Sequence, residues 1–261
     1  MKIDNLKYKI KHFSSLWLIL FIFIIILVLI LTTIAKLSGP KINTEEGLGK
    51  LAYMEQQDIN QIEDQIHLIE ETELAEAEAW KNRTPNEKFA NSIVLGDSIT
   101  QGLYEYGVLD ESLVIADRGT EVSKLGNSKI EEHISKVIDL HPQSIFLSYG
   151  LNDLSALQGN SDLFKENYKA IIVQLKEALP DTKLYINSIL PVTQHAIDTT
   201  VYYENIPQFN EKLIELCTEN NITFIDNTDL VKPEYYGSDG IHLSPSFYPD
   251  WVNHMAEVAE L

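Results

Sequence analysis

One cysteine, Cys217, stands in the 261 residues. An intramolecular disulfide is excluded, and so is a zinc site built on several thiolates. The residue falls in a stretch of helical pattern, 204–220, where a small buried side chain is the expected role. Positive charge is also scarce: 20 Lys and Arg against 39 Asp and Glu leave a formal net charge of −19. A chain so charged is repelled by nucleic acid and by anionic lipid surfaces, whereas a neutral or polar substrate fits its field. Solubility alone is a sufficient reason for the same charge. No cluster of His or carboxylates has metal-ligand spacing, no Gly-rich phosphate loop occurs, and there is no G-x-S-x-G elbow. Neither a metal nor an organic cofactor is therefore expected.

What the sequence does have begins with a run free of charge, 13–35, almost wholly Leu, Ile, Phe and Val over 16–31. Roughly 20 helical residues cross a hydrocarbon core, so the run is long enough to span. It exceeds the apolar core of a secretory signal, and no clear A-x-A site follows; no cysteine follows closely either, which excludes a lipoprotein anchor. An uncleaved signal anchor over 13–36 is the reading, with cleavage as the alternative. Lys2, Lys7, Lys9 and Lys11 precede the run and Lys36 and Lys41 follow it, a bias that puts the tail 1–12 in the cytoplasm and the acidic remainder outside. Trp17 suits an interfacial position. The expected location is the cell membrane, single-pass.

Ser38-Gly39-Pro40 breaks that helix, and 37–84 reads as an acidic helical spacer. Ile59, Ile62, Ile66 and Ile69 form a stripe of about two heptads, which permits self-association without establishing it. From residue 85 to the end the pattern is that of a domain. Short apolar runs at 92–95, 113–116, 144–148, 183–188 and 223–226 read as buried strands. Amphipathic stretches at 128–140, 162–179, 204–220 and 246–261 read as helices. Alternation of this kind implies an α/β fold with a mainly parallel sheet covered on both faces. Ligands then bind beyond the carboxyl ends of the strands, in the loops.

Those loops carry the chemistry. Gly96-Asp97-Ser98 follows the first strand, Asp117-Arg118-Gly119 the second and Gly150-Leu151-Asn152-Asp153 the third, while Asp239-Gly240-Ile241-His242 precedes the last helix. A serine hydroxyl needs a base to become a nucleophile, and an imidazole titrates near neutral pH. Ser98 is thus the candidate nucleophile, His242 its base and Asp239 the group that orients the imidazole. The N–H groups of Ser98 and Gly119 and the Asn152 amide are candidate donors to an oxyanion, helped by a helix N-terminus after Ser98. Each block alone has a plain reading as a capped turn or surface loop. Their order at successive strand ends is what joins them.

Over about 92–251 the sequence resembles the SGNH (GDSL) hydrolases, whose four blocks these loops match in order. Leu190-Pro191-Val192, Phe209-Asn210, Asp226, Tyr248 and Trp251 add secondary matches. The resemblance implies a three-layer α/β/α flavodoxin-like fold with five strands, the triad Ser98, Asp239 and His242, and an oxyanion hole from Ser98, Gly119 and Asn152. Many relatives have Asn where this chain has Asp117, and a second glycine soon after. Glu121 in that loop is expected to place negative charge near the mouth and disfavour acidic substrates.

The function expected is hydrolysis of carboxylic esters through an acyl-enzyme, with O-acetyl esters of an extracellular or cell-surface glycan as substrate. A lipase, lysophospholipase or acyltransferase of the same fold is the alternative. A surface binding or scaffold protein without turnover is the rival from another class. The remaining histidines, His12, His67, His133, His141 and His254, are expected to be solvated or in the core, and His195, in a loop that could border the cleft, is not favoured as a substrate contact.

Overall fold

The computed structural model describes residues 20–34, 44–56, 59–125 and 128–261. The chain divides into two compact units, Met1–Glu76 and Ala77–Leu261. In the first, helix α1 (20–34) exposes every side chain, and α2 (Glu45–Gln56) and α3 (Ile59–Asn82, which runs past the division) follow. Among the described residues no helix is long and apolar enough to cross a membrane. The tail 1–12, the ends of the apolar run at 13–19 and 35–36 and the Ser38-Gly39-Pro40 break lie outside the described residues. Ile62, Ile66 and Ile69 are exposed along α3; the Ile59 side chain lies outside the described set.

In the second unit α4 (Pro85–Lys88) opens with a capping box. Thr84 accepts from the Glu87 N–H while Glu87 Oε2 accepts from the Thr84 N–H at 2.7 Å, and proline fills the first turn, where no N–H is needed. Trp80 packs on the core, and the Lys88 ammonium lies 3.9 Å over its ring. The order is then β1 (Ser92–Gly96), α5 (Ser98–Glu105), β2 (Val114–Ala116), α6 (Lys129–Leu140), β3 (Ser144–Ser148), α7 (Leu151–Ala156) and α8 (Ser161–Ala178). It closes with β4 (Lys183–Asn187), α9 (Gln194–Thr199), α10 (Ile206–Asn220), β5 (Thr223–Ile225) and α11 (Tyr248–Ala259).

All four strand pairs are parallel and the strand order is β2-β1-β3-β4-β5. This is the flavodoxin-like order. β1 is buried at every residue and β3 at four of five, which is why both read as unbroken apolar runs. Right-handed crossovers place α6, α8 and α10 on one face, where α8 contacts both of the others. On the other face α5 meets α11: the Tyr106 ring beside α5 lies 5.0 Å from that of Tyr248. The direction of winding reverses between β1 and β3, so their carboxyl ends open a crevice.

Candidate active site

Ser98 sits at that crevice because of what surrounds it. Asp97 caps α5, its Oδ1 accepting from the Ile99 N–H at 3.0 Å, so the backbone turns sharply from β1 into the helix and leaves Ser98 at the first turn. Gly96 makes the turn possible: a Cβ there would lie 2.8 Å from the Ser148 carbonyl and closer still to Thr100. The Ser98 N–H has no acceptor among the described residues, as expected for a helix N-terminus.

The loop before α11 is held by its own backbone. Gly237 N–H donates to the His242 carbonyl at 2.8 Å, Gly240 N–H to the Gly237 carbonyl at 3.0 Å, and Tyr236 pairs with Leu243. Asp239 Oδ1 accepts from the N–H groups of Ile241 and His242, both at 3.0 Å. This fixes its carboxylate and leaves Oδ2 for His242 Nδ1, 2.6 Å away. A carboxylate only accepts, so Nδ1 carries the proton and Nε2 is the acceptor for Ser98 Oγ at 3.0 Å. Burial acts to raise the Asp239 pKa, but the His242 side chain and the two N–H groups outweigh it and hold the carboxyl below its ordinary value. A serine and a histidine 144 positions apart are thus in hydrogen-bond contact, with an ionised carboxylate behind the imidazole.

The second and third loops meet beside them. Gly119 has φ +73 in a turn closed by Thr120, whose N–H and Oγ1 both donate to the Asp117 carbonyl, at 3.3 and 2.7 Å. The Gly119 N–H has no acceptor among the described residues. Asn152 Nδ2 reaches Asp97 Oδ2 at 3.2 Å and the Thr120 carbonyl at 3.3 Å, so it ties all three loops together. Both bonds are at the long end of the range.

The sequence profile of the GDSL-like lipase/acylhydrolase family matches residues 94–248. The chain belongs to that family. Membership makes it a carboxylic ester hydrolase by class, and the resemblance to SGNH hydrolases stands. No match is found among curated proteins. Solved structures share the fold. A GDSL-like lipase of Bacteroides thetaiotaomicron is 17% identical with a TM-score of 0.53, over 72% of this chain and 96% of that one. A carbohydrate esterase family 3 structure from Talaromyces cellulolyticus is 14% identical with a TM-score of 0.51, over 65% and 95% of the chains. An acetyl esterase mutant with an acetate ion gives the same identity, TM-score and coverage, 14%, 0.51, 65% and 95%.

Two carboxylates of this family member act in ways the sequence did not disclose. Asp97 and Asp153 are almost wholly buried. Burial pushes each pKa up to about 6, although backbone N–H donors oppose it: Ile99 for Asp97, Ser123 and Val122 for Asp153. Asp153 Oδ1 and Oδ2 accept from Ser123 and Val122 at 2.9 and 3.2 Å, which clamps the loop after β2 against α7. An aspartate following Asn152 at a helix start was the only signal, and it reads equally as a cap.

Glu121 is a correction. It does not stand as free negative charge at the mouth: its side chain is only 15% exposed and pairs with Lys124 at 2.9 Å. The Ser123 hydroxyl donates to its other oxygen at 3.3 Å. His195 is exposed on α9. Cys217 is buried, and burial pushes its thiol pKa up to about 12, which leaves it inert. Asn210 holds the loop after β4 through both the N–H and the carbonyl of Ile189, at 2.8 and 3.0 Å. No group of metal-ligating residues occurs among the described residues.

Proposed function

We propose that the chain is a serine esterase working through an acyl-enzyme, with Ser98 as nucleophile, His242 as base and Asp239 as its orienting partner. The observation that carries this is the continuous chain Ser98 Oγ–His242 Nε2–His242 Nδ1–Asp239 Oδ2, at 3.0 and 2.6 Å. Ser98 Oγ attacks the ester carbonyl as His242 takes its proton, and the tetrahedral oxyanion is held by the free N–H groups of Ser98 and Gly119. The Asn152 amide joins them by giving up one of its two long internal bonds to the stronger acceptor. His242 then protonates the leaving alcohol, and water repeats the sequence on the acyl group.

For the substrate we infer an O-acetyl ester of a cell-surface glycan. The His242 and Asp239 side chains are 51% and 47% exposed, an open placement suited to an acetyl group on a bulky polar carrier rather than to a long acyl chain. Two structures of the same fold bear the names carbohydrate esterase and acetyl esterase, in keeping with that reading. The charge-free run 13–35 supports a tether that holds the enzyme on the outer side of the membrane.

Ser98→Ala should abolish ester turnover while leaving the circular-dichroism spectrum and Tm unchanged. Turnover persisting in a folded Ser98→Ala protein would refute the acyl-enzyme route. Acetate release from acetylated xylooligosaccharide and acetylated peptidoglycan, beside p-nitrophenyl esters of increasing chain length, tests the substrate; a preference for long chains would replace acetyl glycan with lipid. Protease added to intact cells should remove the activity if the domain lies outside.

A further inference from the structure

Outside the triad, a second histidine joins two of the site loops. His133, on α6, is completely buried. Its Nδ1 lies 2.8 Å from the Tyr149 hydroxyl and its Nε2 3.0 Å from Asp117 Oδ2. The carboxylate can only accept, so Nε2 donates to Asp117 and Nδ1 accepts from the Tyr149 O–H. Burial lowers the pKa of His133, against the pull of Asp117, and burial also holds the Tyr149 hydroxyl in its neutral form. One neutral imidazole therefore satisfies a donor on one side and an acceptor on the other.

Its two partners stand at the roots of the oxyanion loops. Asp117 begins the turn that carries Gly119, and its carbonyl closes that turn by accepting from Thr120. The same helix α6 adds Lys129, which donates to the Arg118 carbonyl at 3.0 Å and lies 3.8 Å from Asp117 Oδ1. Tyr149 directly follows β3 and leads through Gly150 and Leu151 into Asn152. The backbone donor at Gly119 and the amide donor at Asn152 are thus carried by loops that share one buried bridge.

We propose that His133, through Asp117 and Tyr149, is a positioning residue that sets the Gly119 and Asn152 donors at the separation the oxyanion requires. The inference rests on the acyl-enzyme reading above. Donors that are slightly misplaced still admit the substrate but stabilise the tetrahedral state poorly, so the loss belongs in kcat.

The test uses the full chain with a soluble acetyl ester and the variants Tyr149→Phe, Asp117→Ala and Asp117→Asn. Tyr149→Phe and Asp117→Ala should lower kcat roughly 10- to 100-fold, the scale of displacements near 1 Å. KM should stay within about twofold of the parent, as for a loss confined to the transition state. Inhibition by an alkylboronic acid, which forms a tetrahedral adduct on the serine, should weaken in parallel. Asp117→Asn should recover most of the loss, because its carboxamide oxygen still accepts from Nε2. Parental kcat in folded Tyr149→Phe and Asp117→Ala would overturn the inference, as would a loss shared equally by KM. Should Asp117→Ala fail to fold, Tyr149→Phe decides alone, since it keeps the ring and its packing. Ser98→Ala beside them separates the two readings: activity retained there removes the acyl-enzyme, whereas its loss with a fully active Tyr149→Phe removes only the role of His133.

Discussion

Gly119, Gly150 and Gly240 in the site loops all have positive φ, and substituting the first two, which take it for different reasons, should separate stability from activity. At Gly150, φ is +131, and a Cβ would lie within 2.5 Å of the Ile189 side chain and 2.9 Å of Phe164. Both neighbours belong to the core, so Gly150→Ala should cost several degrees of Tm, from strain plus overpacking. At Gly119, φ is +73 and nothing lies within 4 Å of an added Cβ. The penalty there is the left-handed conformation alone, about 1–2 kcal/mol. Gly119→Ala should accordingly lose more in kcat than in stability, because the N–H it re-aims is a proposed hole donor. Thermal melts and steady-state kinetics on the pair check this; equal Tm losses in both would contradict it. The sequence marked both glycines through their motif positions, but the packing around Gly150 depends on Ile189 from another strand end.

At the scale of elements, the buried runs of β1 and β3 and the amphipathic periods of α6, α8 and α10 were legible in the sequence because burial on two faces and on one face leave different patterns. The six-residue helices α7 and α9 were not, since neither completes two turns of apolar periodicity. Their ends are set by hydrogen bonds instead: the Thr193 side chain caps α9, and Asp153 in the first turn of α7 clamps the neighbouring loop. That clamp has a pH signature. The folded pKa of Asp153, about 6, exceeds its ordinary 3.8, so the folded state binds the extra proton and stability from this group falls as pH rises through that window. Asparagine at this position does not titrate. The stability of Asp153→Asn relative to the parent should therefore improve from about pH 4 to about pH 6, whatever constant loss its altered hydrogen bonds bring. Denaturant melts at several pH values measure it, and a gap independent of pH would show that Asp153 ionises normally.

For the whole molecule, the second compact unit, Ala77–Leu261, contains every residue of the proposed site and the Trp80 ring that covers Lys88. Expressed by itself, Ala77–Leu261 should fold and hydrolyse a soluble ester with kcat within about twofold of the full chain, as expected when the first unit contributes no transition-state contact. On the proposal that 13–35 tethers the full chain, the fragment should stay in the supernatant when membranes are sedimented. An unfolded fragment would mean that the first unit completes the core, and a fragment still bound to membranes would remove the tether from 13–35.

The sequence by itself determined the alternation of strands and helices, the single apolar run and the chemical identity of Ser98, Asp239 and His242, since these follow from local pattern and residue type. Tertiary structure decided what each group faces. Pairing β1 between β2 and β3 puts the first three site loops side by side, and the hairpin-like loop before α11 brings His242 across to Ser98. The same closure buried His133 between Asp117 and Tyr149, whereas Glu121 meets Lys124 only three residues further along its own loop. An imidazole has no fixed role until its neighbours set its exposure and its hydrogen bonds, and the one that makes His242 a base, Ser98, lies 144 positions away in the chain.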